Sequence, residues 1–186
     1  MLTLAILGTL VVGWLLGGRL TRFEKAGIRL ILLPVVAMAL QLLLQLLKGE
    51  TYYRWAGLIL LDSYALLFTF LLLNRHLQKS TLLLFLGSVC NLLVIMANGF
   101  RMPVSAQAGT RLSAAGFASL AAGEIPMYTL AGDKTRLLFL GDMLYIPVPG
   151  FRGFASIGDC LLAAGFMFLL MAVMAPKRGP RWLKTG

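Results

Sequence analysis

Gln41, Asp62, Asn91, Asn98 and Asp159 are polar residues lying in or beside strongly apolar stretches. Amide and carboxyl side chains in such surroundings are expensive unless they find partners, and an Asp in lipid costs roughly 2.5–3.5 kcal/mol on insertion scales. Once the stretches are threaded through a bilayer, all five residues fall toward the same face. At about 1.5 Å per residue, Gln41, Asp62 and Asn91 each lie about 9–10 Å below one end of their stretch, and Asp159 is shallower. Residues from four segments therefore share one layer and are expected to face inward. Two readings follow: an interhelical hydrogen-bond network, or a polar cavity open to the outer leaflet.

The elements that must position these residues are apolar helices. Hydrophobic residues make up 59% of the 186 and charged residues 13%, against about 25% charged in a soluble domain. The composition describes an integral membrane protein. Leu30–Leu47, Trp55–Leu73, Thr81–Ala97 and Ile157–Ala175 are each long enough to span roughly 30 Å of hydrocarbon. Leu2–Leu16 is a shorter fifth, without a basic region before it, and reads as an uncleaved anchor. Its Gly13 and Gly17 form a small-xxx-small pair suited to close helix packing. The predicted fold is an all-α polytopic bundle of five transmembrane helices, one domain over residues 1–186.

Charge sets the expected orientation. Arg19, Arg22, Lys25 and Arg29, then Arg75 and Lys79, then Lys177, Arg178, Arg181 and Lys184 fall on one side of such a bundle. The positive-inside rule makes that side cytoplasmic, with the N-terminus outside. The net charge of +10 is thereby explained by topology and by attraction to anionic headgroups. The basic residues do not interleave with exposed aromatics, so no nucleic acid partner is expected.

The connection from Asn98 to Ser156 is then outside, and it is far longer than an ordinary interhelical loop. It is expected to fold as a roof on the bundle, with a short helix around Thr110–Ala122 and an extended piece through Leu137–Pro149. Cys90 and Cys160 lie within spans as small hydrophobes. His76, the single histidine, falls in a cytoplasmic turn beside Arg75. Neither a metal nor a cofactor is expected, because no ligand spacing, P-loop or GxSxG motif is present.

The connection carries sharper motifs: Asn98-Gly99-Phe100-Arg101-Met102-Pro103-Val104, then Phe139-Leu140-Gly141-Asp142, then Ser156-Ile157-Gly158-Asp159. In this order they resemble an uncharacterised family of bacterial integral membrane proteins, catalogued as a domain of unknown function. The resemblance covers most of the chain and implies a multi-pass protein of the bacterial cytoplasmic membrane. Members often carry a His shortly before the F-L-G-D motif; here Ile125–Leu130 has none, with Tyr128 nearby.

A second, partial likeness covers about a quarter of the chain. Gly141-Asp142, then Phe154-Ala155-Ser156-Ile157-Gly158-Asp159, is similar to the end of type II (lipoprotein) signal peptidases, in which a loop Asp pairs with an Asp at the start of the last helix. Ser156 replaces the family's Asn, and its upstream G-N-x-x-D-R-like motif is absent. The likeness implies Asp142 and Asp159 as a catalytic pair. Two carboxylates in near contact cannot both ionise, so one acts as base and the other as acid on a water. Asn98 is a candidate oxyanion donor, and Arg101 or Arg152 a candidate holder of a lipid phosphate or carboxylate. Against this, Ser156 and Asp159 also spell a helix-capping S-x-x-D, and Gly141-Asp142 also spells a turn.

Three functions are compatible with these residues. The first is an aspartyl-type membrane hydrolase of a lipid-linked or membrane-embedded substrate, with Asn91, Asp62 and Gln41 lining its site. The second is a non-enzymatic accessory protein that binds a lipid or a partner transmembrane helix. The third is a small transporter controlled by Asp62, for which five spans without a visible repeat are a poor fit.

Overall fold

The computed structural model describes residues 2–21, 26–47, 49–148 and 153–175. It is mostly helical. Among the described residues the order is α1 (Leu2–Leu15), α2 (Leu32–Leu46), α3 (Gly49–Leu73), α4 (Gln78–Ala97), β1 (Met102–Val104), α5 (Ala106–Gly109), α6 (Ala114–Ala121), β2 (Tyr128–Leu130), β3 (Leu144–Ile146), β4 (Gly153–Ala155) and α7 (Ile157–Met174). Three of the helices, α3, α4 and α7, are long and apolar enough to cross a membrane. The outer faces of α3 and α4 carry exposed Leu58, Leu72, Leu86 and Leu93, apolar surface of a kind that soluble monomers rarely gather.

Helices α1 and α2 have 14 and 15 residues, short of the roughly 20 that a full span needs. The reasons are local. At the end of α1, Gly17 turns the chain with φ +78°, and the Gly18 and Gly17 amides donate back to the Gly13 and Trp14 carbonyls. That pair of bonds is a Schellman stop, so Gly17 ends the helix while Gly13 packs: a Cβ on Gly13 would lie 2.5 Å from Met174 Sδ. Leu30, with φ +49°, keeps the chain out of helix before α2, whose first turn accommodates Pro34. Helix α3 instead begins well before Trp55, bringing Tyr52 and Tyr53 into its first turns.

The closest helix pair is α4 against α7, followed by α2 against α3 and α1 against α7. Glycines make the first seam tight: a Cβ on Gly87 would lie 2.6 Å from the Gly158 carbonyl, and one on Gly165 would lie 2.7 Å from Leu84 Cγ. Since Gly87 meets Gly158 while the earlier Leu84 meets the later Gly165, the two helices are antiparallel. At one end of the bundle the Arg29 amide donates to Asn74 Oδ1, Asn74 Nδ2 donates to the Arg29 carbonyl, and the Arg19 amide donates to the Met174 carbonyl. The basic connections around Arg19, Arg29 and Arg75 therefore gather there. Arg22, Lys25 and the basic tail from Lys177 onward lie outside the described residues.

At the other end the connection after α4 folds over the bundle. Strand β1 pairs in parallel with β2 on one side and forms a bridge, Val104 with Asp142, on the other. Strands β3 and β4 pair antiparallel and lead into α7. The roof has a small core of Val104, Ala108 and Leu120, while Met102 is packed into the bundle's own core with Leu44, Tyr52, Val94 and Ile95. The helix expected over Thr110–Ala122 is the shorter α6, preceded by the separate turn of α5, each N-capped by a serine, Ser113 and Ser105. The extended piece expected from Leu137 begins with a 3-10 turn at Leu138–Leu140 and continues as β3; its last residue, Pro149, is outside the described residues. Four three-residue strands thus amend the all-α expectation. Cys90 and Cys160 form no disulfide among the described residues.

Candidate functional site

The three sequence motifs converge at the roofed end of the α4–α7 seam. Ser156 is the N-cap of α7. Its Oγ accepts from the Asp159 amide, and its own amide donates to Asp159 Oδ2, which completes a capping box. Asn91 reaches across from α4: its Nδ2 donates to Asp159 Oδ1 at 3.0 Å, and Ser156 Oγ donates to its Oδ1 at 2.9 Å. Only glycine at position 158 permits this, because a Cβ there would collide with Asn91 Oδ1. Asn91 and Ser156 are both buried, and each oxygen of Asp159 accepts one bond, Oδ1 from the Asn91 side chain and Oδ2 from the Ser156 amide.

Asp142 arrives from the roof. Its amide donates to the Pro103 carbonyl, and its carbonyl accepts from the Ser105 amide. These bonds lock it along β1. Gly141 allows the approach, since a Cβ there would be 2.6 Å from the Pro103 carbonyl. The side chain is 4% exposed, and its Oδ1 is buried without a hydrogen-bond partner among the described residues. Burial first, and the charge of Asp159 second, push its carboxyl from the ordinary 3.8 up to about 7. A buried carboxyl that also feels a second negative charge is favoured as the neutral acid, so Asp142 is poised to exchange a proton near neutrality.

Tyr128 completes the group. It lies on β2 opposite Met102, and its hydroxyl is pushed up to about 12 by burial, then by Asp142, then by Asp159. In the sequence Tyr128 lies in the stretch Ile125–Leu130, where the resembled family often carries a His. That position was the available signal.

The remaining candidates separate. Asn98 is occupied as a clamp: its Nδ2 donates to the carbonyls of Val94 and Arg136, and its Oδ1 accepts from the Arg136 amide. It ties the roof to the end of α4, and its amide is already committed, which argues against an oxyanion donor. Asp62, expected to face inward, is exposed on α3, and its neighbour Ser63 is buried instead. Gln41 Nε2 donates to Ser63 Oγ at 3.2 Å, so the α2–α3 pair makes its polar contact without the carboxylate. One residue is about 100° of helix rotation, enough to turn Asp62 outward. Arg101 lies between Tyr52 and Tyr53, its guanidinium carbon 5.3 and 4.7 Å from the two ring centres, in a separate cavity. Arg152 lies outside the described residues.

Residues 22–171 match the model of a family described as a family of unknown function, DUF5317. The chain belongs to that family. No curated protein and no solved structure matches the chain, and the expected likeness to type II signal peptidases is not among what the comparisons show.

Proposed function

We propose that this member of the family is a five-span protein of the bacterial cytoplasmic membrane, and that Asp142 and Asp159 hydrolyse a lipid-linked or membrane-embedded substrate at its outer surface. The orientation is supported by the basic connections gathered at the end of the bundle opposite the roof. The observation that carries the chemistry is the buried carboxyl of Asp142, whose Oδ1 has no hydrogen-bond partner among the described residues and which burial, then the charge of Asp159, raise to about 7.

In this reading Asp159, oriented by its bonds from Asn91 and the Ser156 amide, is the base that takes a proton from the attacking water. Neutral Asp142 gives its proton to the leaving group as the water oxygen bonds to the substrate and the scissile bond breaks. Mass spectrometry of membrane lipids and lipoproteins tests this in cells carrying wild type, a deletion, Asp142→Asn or Asp159→Asn. The proposal expects both variants to accumulate in the membrane and to build up the same species as the deletion; variants indistinguishable from wild type remove the chemistry.

A non-enzymatic lipid- or helix-binding role is favoured by a different observation. Both oxygens of Asp159 are used by the cap and by Asn91, and neither carboxylate lines the cavity that holds Arg101. That role predicts that Asn is tolerated at both positions.

A further inference from the structure

Arg101 lines a cavity of about 360 Å³ with Leu47, Gly49, Tyr52, Tyr53, Gly123, Glu124 and Pro126. The two tyrosines supply aromatic faces to the guanidinium at cation–π distances. Tyr52 is itself fixed, because its hydroxyl donates to the Phe100 carbonyl at 2.8 Å. Gly123, with φ +71°, brings bare backbone up to the guanidinium; a Cβ there would lie 3.1 Å from Nη1. Arg101 Nε is nevertheless buried with no hydrogen-bond partner among the described residues. A buried charged N–H without an acceptor is costly, so Nε of Arg101 is a donor that a ligand oxygen would satisfy. Planar Arg donors match phosphate oxygens. The cavity opens beside the first turns of α3, a helix long and apolar enough to cross a membrane, where Tyr53 and Trp55 are exposed, aromatic residues of the kind enriched at the headgroup level.

We infer that this cavity is a binding site for a phosphate group, with Arg101 as its anchor and the phosphate carried by a lipid headgroup or free in solution. The inference rests on α3 crossing a bilayer only for the headgroup source, and it does not depend on chemistry at Asp142. Glu124, exposed and on the cavity wall, is the one acidic residue lining it among the described residues. It opposes an anion, so removing its charge should tighten the site.

The test uses the full chain in detergent micelles. Thermal shift and native mass spectrometry follow titration with short-chain phosphatidylglycerol, with diacylglycerol of the same chains, and with inorganic phosphate. Phosphatidylglycerol is expected to bind at least about tenfold more tightly than diacylglycerol, a difference that Arg101→Gln abolishes. Glu124→Gln is expected to bind as tightly or more tightly, and Asp142→Asn to bind as wild type does. Inorganic phosphate that competes at the lipid's own concentration assigns the site to soluble phosphate; phosphate without effect there assigns it to the headgroup. Should Arg101→Gln fail to fold, Arg101→Lys replaces it, with an expected loss of several-fold from the missing fork geometry. Equal binding of diacylglycerol and phosphatidylglycerol, or a folded Arg101 variant with unchanged preference, overturns the inference.

Discussion

The α4–α7 seam and the α2–α3 pair both carry polar residues in apolar helices, yet only one concentrates them. On the seam, Gly87 and Gly158 bring two backbones together, so Asn91 spans the gap and binds both Ser156 and Asp159. In the α2–α3 pair a single amide–hydroxyl bond joins Gln41 to Ser63, and Asp62 faces outward. The comparison shows that depth along a helix does not make a site. Close approach and rotation do, and glycine decides the first.

The largest effect should come from forcing the seam apart. Gly158→Val places bulk where even a Cβ collides with Asn91; a loss of about 3 kcal/mol or more is expected, read as a sharp fall in thermal stability in detergent. An unchanged midpoint would mean that the seam is loose.

Asp142 should give a comparable effect that depends on pH. Between pH of about 4 and about 7 the native protein keeps a proton that the unfolded chain has released, so stability falls as pH rises through this window and levels off above it. The full loss is on the order of 4 kcal/mol. Asp142→Asn cannot ionise and should lack this fall, becoming the more stable protein above pH 7. Parallel pH profiles for the two proteins would place the carboxyl in water.

What the sequence made legible follows from what has a period or a composition. Long apolar runs located α3, α4 and α7, and S-x-x-D announced the cap that Ser156 and Asp159 form. The facing of Asp62 was illegible because α3 is apolar on every side, leaving no stripe to fix its rotation. The strands of the roof were illegible because three residues are too few to show alternation. Asn98 looked like a free donor until the fold brought the Arg136 backbone to it, a pairing of distant residues that no local pattern encodes. Gly17 read as a packing glycine but ends α1, since spacing alone does not separate the two uses.

Smaller effects separate the two regions further. Asn91→Ala leaves Asp159 Oδ1 and Ser156 Oγ each short of a buried partner, with an expected loss of about 1–3 kcal/mol. Gln41→Ala breaks one bond to a serine whose hydroxyl also donates to the Leu60 carbonyl, and should lose about 1 kcal/mol or less. Matched denaturation curves check the order; a reversal would make α2–α3 the polar anchor of the bundle.

The most direct measurement is the titration of Asp142 itself, by carbon NMR of protein labelled at aspartate and assigned by difference from Asp142→Asn. The account predicts a midpoint near 7 in the wild type. In Asp159→Asn the midpoint should fall while staying above the ordinary aspartate value, because burial is the larger cause. A midpoint near the ordinary value of 3.8, or one that Asp159→Asn leaves in place, would contradict a coupled pair of carboxyls at the roofed end of the seam.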